Sequence, residues 1–221
     1  MTYPDDFINK IICGDCLEIM KDIPDKSIDL VLTDPPYGMG YLSNHYKNIN
    51  PFNRIVGDDK FPSQIIPLLK SKAKKAVYVF CRWNNLKEVE EPKSFISWVK
   101  NNWTAGDLLH EHGRQWEGIL FYPMEQHSFK KRYPDVIDYS RVPPTELEHP
   151  TQKPVSLIKM IIENNTEPND LILDPFSGSC TTAVACKLLN RRCISIEISP
   201  EYCAIGEKRL RNTIPNYELA L

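Results

Sequence analysis

An apolar run that stops at a carboxylate and two prolines does most to limit how this chain folds. In Asp29-Leu30-Val31-Leu32-Thr33-Asp34-Pro35-Pro36-Tyr37, the stretch from Ile28 to Leu32 has the length and composition of a short strand buried in a parallel sheet. Neither proline donates a backbone hydrogen bond, and Pro36 restricts Pro35 to extended geometry. The strand therefore ends abruptly in a rigid corner. In open α/β sheets, ligands bind in the crevice beyond the carboxyl ends of the strands. A corner there that carries a carboxylate, backbone carbonyls and a flat ring is suited to gripping a planar amine.

The same grammar, a short apolar strand ending in polar residues and followed by a helix, recurs along the chain. Ile11-Ile12-Cys13 ends at Gly14-Asp15-Cys16, and a helix follows with Leu17, Met20 and Ile23 inward. Further on, the pattern predicts a helix over 65–69, strands over 76–80, 95–99 and 116–122, a weak helix over 84–91, and a loop over 101–115. The last third is the best patterned. Pro154 suits the first turn of a helix whose Val155, Ile158, Ile161 and Ile162 form an apolar stripe. Leu171-Ile172-Leu173 leads into Asp174-Pro175-Phe176-Ser177-Gly178-Ser179, a helix covers 181–189, and Cys193-Ile194-Ser195-Ile196 ends at Glu197. Ser199-Pro200-Glu201 starts a final helix by its cap and first-turn chemistry. Such alternation predicts an α/β fold, a doubly wound sheet with helices on both faces.

With 221 residues the chain is expected to form one domain, 1–221, with enough length for a full core. No apolar run approaches membrane-spanning length, and Met1 to Asp6 lack signal-peptide character. Seven scattered cysteines speak against a disulfide scaffold and for a reducing cytoplasm. A net charge of −2 does not announce a nucleic-acid binder, so phosphate contacts must come from local patches. The run Lys130-Lys131-Arg132 is the best candidate, although such a run also reads as a solvated face. It lies in 123–148, a segment with four prolines and few aliphatics that reads as an irregular insert. The polar stretch 38–62 reads as a long loop beside the corner.

Strand, small-residue turn, helix, strand and acid is also the arrangement of nucleotide-binding sites in doubly wound folds. An acid about 20 residues beyond the turn can hold ribose hydroxyls, and Glu197 stands at that distance from Gly178. The dinucleotide fingerprint is absent, since Gly178 is the one glycine of the turn and Cys180 follows. A cofactor with a ribose and no phosphate fits better than a dinucleotide. Alone, this motif reads equally as a plain strand-helix corner.

Taken together, Asp34-Pro35-Pro36-Tyr37, His149-Pro150-Thr151-Gln152-Lys153-Pro154, the Asp174–Ser179 turn, Glu197, Tyr202 and Arg209-Leu210 resemble the S-adenosylmethionine-dependent DNA amino-methyltransferases. The likeness is nearest to the circularly permuted subgroup, with the catalytic motif ahead of the cofactor motif, and it covers about residues 11–211. It implies a Rossmann-like methyltransferase sheet, S-adenosyl-L-methionine as cofactor and double-stranded DNA as partner. It implies that Asp34 and the Pro35 carbonyl accept hydrogen bonds from an exocyclic amine, with Pro36 stiffening the corner and Tyr37 stacking on a base extruded from the duplex. Asp174, Phe176, Gly178 and Ser179 would surround the methionine portion, with Asp34 adjoining. Glu197 would take the ribose, Asp15 and Cys16 the adenine edge, and Thr151 and Lys153 the carboxylate. Asp rather than Ser before Pro-Pro-Tyr leans towards adenine over cytosine. Cys180 stands where the family usually has glycine, and looser packing is expected there.

Other readings compete. Asp34 also reads as a turn cap, Tyr37 as a surface aromatic and Glu197 as a first-turn helix acid. Cys13 and Cys16 have the spacing of half a zinc site, but no second pair completes it, so no metal is expected. His110, His112, Lys72, Lys74 and Lys75 read as surface. Methylation of cytosine, of an RNA base or of a protein amide are alternative activities, and a DNA-binding protein on a decayed scaffold is the non-enzymatic one. The recognised site is not readable. Target reading would fall to 123–148 and 38–62, which implies a short site, relaxed specificity or help from a second copy in a homodimer.

Overall fold

Among the described residues eight strands and five helices alternate except in the middle of the chain, where four strands follow one another. The structure is a computed structural model that describes residues 1–38, 58–104, 109, 110, 112–149 and 151–215. Strands β1 (Lys10–Cys13), β2 (Ile28–Thr33), β3 (Ala73–Cys81), β4 (Ser94–Thr104), β5 (Arg114–Pro123), β6 (Val136–Asp138), β7 (Leu171–Asp174) and β8 (Arg192–Glu197) form one sheet. Its order is β1-β8-β7-β2-β3-β5-β4-β6. Only β5 runs against its neighbours, β3 and β4; the other pairings are parallel. The helices are α1 (Cys16–Ile19), α2 (Ile66–Lys72), α3 (Val155–Asn165), α4 (Thr181–Leu188) and α5 (Pro200–Asn212).

Strand residues alternate between two cores, as a period of two requires. Val31, Val77, Val79, Leu173 and Ile194 face the core that α1 and α2 cover. Leu30, Leu32, Tyr78, Phe80 and Ile172 face the core that α3 and α4 cover. The doubly wound expectation is met. β2 is buried along its whole length between β7 and β3, which explains why it reads as an unbroken apolar run. Each fully buried aliphatic side chain there contributes roughly 1.5–3 kcal/mol. From β7 the sheet extends through β8 to β1, and from β2 it extends the other way through β3. The register Leu30↔Ile172 and Val31↔Leu173 sets the carboxyl ends of β2 and β7 side by side at this reversal.

Several expectations change. Asp15 caps α1 by accepting the Leu17 N–H (2.8 Å), but the helix is a single turn continued as a 3-10 turn over Met20–Asp22. Met20 and Ile23 are buried as expected, whereas Leu17 is 40% exposed. A 3-10 turn, Trp83–Glu88, replaces the weak helix. β4 continues to Thr104, well into the predicted loop, because β5 supplies a partner that local sequence does not reveal. The insert 123–148 adds β6 to the sheet edge beside Ser97–Val99 and buries Ile137. One buried residue between exposed ones gives no period to detect. Lys72 is not a surface residue: its ammonium is buried and donates to the Ile23 carbonyl (2.6 Å) and Asp25 (2.8 Å). Residues 39–57 of the predicted 38–62 loop, and Pro150 of the second motif, lie outside the described residues.

Cys180 is the last change. It adopts a left-handed backbone (φ 61°) that favours glycine, yet it is fully buried and its Sγ lies 3.6 Å from Ser177 Oγ. A methyl group added to Gly206 on α5 would collide with this sulfur. The expected looseness is absent, because a glycine opposite makes room for the thiol.

Candidate active site

The corner after β2 and the turn after β7 meet through one buried hydrogen bond. Thr33 Oγ1 donates to Asp174 Oδ1 at 2.8 Å, and the Phe176 N–H donates to the same oxygen at 3.2 Å. Burial pushes the Asp174 carboxyl up to about 6, against the hydrogen bonds from Thr182, Thr33 and Phe176. Asp174 thus fastens the second turn to the first strand from behind.

In front of this junction lies a cleft of about 440 Å3. Asp34, Pro35, Pro36 and Tyr37 form one wall; Phe176, Gly178 and Glu197 form another. Asp15, Cys16 and Thr151 also line it. Three of the expected cofactor residues, Lys153, Asp174 and Ser179, instead line a smaller cavity of about 50 Å3 behind the corner. Ser179 is tied down there: its hydroxyl accepts from Arg209 Nη1 (2.9 Å) and its carbonyl accepts from the same group (2.6 Å).

Glu197 is aimed by the backbone. Its Oε2 accepts the Gly178 N–H at 2.8 Å and its Oε1 accepts the Ser199 N–H at 2.9 Å. Burial raises its pKa and these N–H groups oppose the rise. Each oxygen keeps a lone pair for a neighbouring diol. Gly178 has φ +50°, and a Cβ there would touch the His149 ring at 3.4 Å. Cys16 is buried, and burial pushes its thiol up to about 12, so it presents a neutral, weakly polar wall. A carboxylate for a diol beside apolar walls from Phe176, Ile198 and Tyr202 fits a nucleoside cofactor that carries no phosphate. Among the described residues no three His, Cys, Asp or Glu side chains converge to hold a metal ion.

His149 and Thr151 also line the cleft. The His149 ring packs edge-on against Tyr202, centroids 4.3 Å apart, and its Nδ1 accepts the Thr151 N–H at 3.3 Å. Burial, with Lys153 and Arg209 nearby, lowers the His149 pKa to about 4, which leaves a neutral imidazole at pH 7. Glu148 pairs with Arg209 of α5 at 2.9 Å.

The corner itself holds a charge cluster in which Lys153 is buried and Asp34 and Glu117 are partly buried. Asp34 Oδ1 accepts the Tyr37 hydroxyl at 2.6 Å, and Oδ2 pairs with Lys153. Lys153 also reaches Glu117 Oε2 at 3.3 Å, and Glu117 Oε1 pairs with Lys100. The Lys153 ammonium lies 5.5 Å from the Tyr37 ring centre and 5.0 Å from that of Phe80. Asn85 Nδ2 donates to the Tyr37 carbonyl (3.2 Å), and the Gly38 N–H donates to Asp58 (2.9 Å), so both sides of Tyr37 are anchored. Burial raises the Asp34 pKa, Lys153 opposes it and Glu117 adds to it. Burial works against the Lys153 charge, but Asp34 and Glu117 outweigh it and raise that pKa. Glu117 would also be raised by burial; Lys153 and Lys100 bring it down to about 2.

Glu117 and Lys100 do not stand out in the sequence as site residues. The available signal is a single charge inside or beside an apolar strand, at 116–122 and after 95–99. Lys130-Lys131-Arg132, by contrast, is not brought to the corner. Lys130 pairs with Glu167 at 2.8 Å, and the Lys131 N–H donates to Asn164 Oδ1 at 2.8 Å. These anchors sit at the far end of α3 from Lys153, about 16 Å along a helix of this length.

The DNA methylase family profile matches residues 28–208 of the chain. Type II methyltransferase M.HinfI of Haemophilus influenzae is 30% identical over 253 residues, covering 96% of this chain and 70% of that protein. DNA adenine methyltransferase YhdJ of Escherichia coli is 28% identical over 248 residues, covering 90% and 82%. Among solved structures, the M1.HpyAVI-SAM complex superposes with a TM-score of 0.66 at 28% identity, covering 91% of this chain and 99% of that one. The cytosine-N4-specific PvuII DNA methyltransferase shares the fold, with a TM-score of 0.67 at 20% identity and coverage of 95% and 89%.

Proposed function

The chain belongs to the DNA methylase family, the amino-methyltransferases of adenine N6 and cytosine N4, and from that premise we propose that it methylates the N6 amino group of adenine in double-stranded DNA. The observation that carries this reading is the Thr33–Asp174 hydrogen bond, which locks an amine-accepting corner to a cofactor-type turn across the switch point. Glu197, Gly178 and Phe176 would hold S-adenosylmethionine, which would supply an electrophilic methyl group.

The chain's own residues then act on the amine. The lone pair of an adenine amino group is delocalised into the ring. The Asp34 carboxylate and the Pro35 carbonyl draw on its two hydrogens, which favours a pyramidal nitrogen and directs its lone pair towards the cleft. This is positioning and electrostatics with no covalent enzyme intermediate. The base leaves the duplex to reach the corner, and the Tyr37 ring receives its face. Asp34 is the nearest carboxylate to take the proton released once the nitrogen is alkylated. Exposed Trp83, Trp103 and Trp116 follow β3, end β4 and begin β5, on the carboxyl-end side from which a duplex would approach.

Adenine is favoured by Asp34 ahead of Pro35 and by the likeness to an adenine methyltransferase over 90% of the chain. Cytosine is the second reading, because the two acceptors of the corner serve either amine and a cytosine-N4 enzyme shares the fold. The protein incubated with methyl-labelled S-adenosylmethionine and, separately, DNA, RNA and protein is expected to label DNA alone. Label in RNA or protein without label in DNA would overturn the reading.

A further inference from the structure

Both oxygens of Asp34 are engaged before any amine arrives: Oδ1 by the Tyr37 hydroxyl at 2.6 Å and Oδ2 by the Lys153 ammonium. Each of these oxygens keeps a second lone pair, but an amine that joins one competes with the group already there and weakens its bond. Inside a protein, an ammonium or hydroxyl that loses its acceptor without finding another is costly. Here the two weakened groups share one alternative acceptor. Glu117 Oε2 lies 3.2 Å from the Tyr37 hydroxyl and 3.3 Å from the Lys153 ammonium. Its other oxygen is held from behind by Lys100, itself 6% exposed on β4. Two carboxylates and two ammonium groups keep the cluster neutral whichever carboxylate Lys153 favours.

Resting on the reading of Asp34 as the amine acceptor, we propose that Glu117 is a positioning residue. It receives Lys153 and the Tyr37 hydroxyl when Asp34 turns to the target amine, and Lys100 keeps it in place. The exchange moves hydrogen bonds only, and no covalent bond forms or breaks. Glu117 does not line the main cleft, so its role is separable from cofactor binding.

The test compares Glu117→Gln with wild type in DNA methylation and in calorimetric binding of S-adenosylmethionine. The expected result is a kcat roughly tenfold or more lower, the scale of losing one preorganised charged contact, with the cofactor Kd within about twofold. Glu117→Asp, which keeps the charge, is expected to retain at least about a third of the wild-type rate, and it gives the readout if the Gln variant does not fold. A Gln variant at the wild-type rate, a cofactor Kd that weakens in step with kcat, or an Asp variant as slow as the Gln one would each overturn the proposal. Wild-type protein that methylates no DNA would instead overturn the functional reading, so the two failures are distinguishable.

Discussion

In its proposed role Asp34 accepts an amine hydrogen best when ionised, so its surroundings would set the pH range of the reaction. Burial raises its pKa, Glu117 adds to the rise and Lys153 resists it. Protonation converts one oxygen from acceptor to donor. The rate should therefore fall as pH drops through a value above that of an ordinary Asp. Lys153→Met removes the opposing ammonium, and the acid limb of kcat should move to higher pH; a limb that stays put or moves down would refute the role of Lys153. Asp34→Ala should lose roughly 10²-fold or more in rate while cofactor affinity holds, as calorimetry beside a turnover assay would register. At this scale the motif residues Asp34, Tyr37, Gly178 and Glu197 are legible in sequence, since each sits at a strand end where rigid or small neighbours mark it. Glu117 and Lys100 are not legible, because their meaning lies in partners on other strands and in a common burial.

Elements form where local chemistry and tertiary packing agree. α3 is readable from its apolar stripe and α5 from the Ser199 cap, whose Oγ accepts the Tyr202 N–H at 3.5 Å. The extended β4 and the edge strand β6 are not, because their pairing is with distant strands. The contact between α5 and the turn before α4 makes a quantitative case. Gly206→Ala drives a methyl into Cys180 and to 3.1 Å from Ile11 Cδ1. The expected cost is about 1–3 kcal/mol, by overpacking, in thermal or denaturant unfolding. Cys180→Gly in the same chain should recover part of that loss, since it removes the clashing sulfur and suits the left-handed backbone. Simple additivity of the two changes would contradict the packing account.

Stability also depends on pH through His149, which lines the cleft. The His149 pKa is about 4 in the folded protein, below the ordinary value of 6.5. The unfolded chain therefore binds the proton more tightly. The neutral ring's advantage is fully present above 6.5 and is lost as pH falls towards 4, to the extent of roughly 3 kcal/mol. His149→Gln should flatten that part of the stability curve measured in denaturant; an unchanged slope between 6.5 and 4 would mean that His149 is not held neutral.

For the whole molecule, the decisive feature is where the strand order reverses. The alternation of strands and helices was readable, and so was the position of each motif at a strand end. The sheet order was not, because parallel pairing depends on which faces of distant segments fit. Only the order β7-β2 puts Asp174 against Thr33 and sets the Asp34 corner across one cleft from Glu197. The central claim is that this cleft delivers a methyl group to the amine held at Asp34. It is tested most directly by nucleoside mass spectrometry of DNA treated with the protein and S-adenosylmethionine. N6-methyladenine should accumulate with wild type and fall to background with Asp34→Ala; methylation that persists in the variant, or a modified nucleoside without a methylated exocyclic amine, would contradict the account.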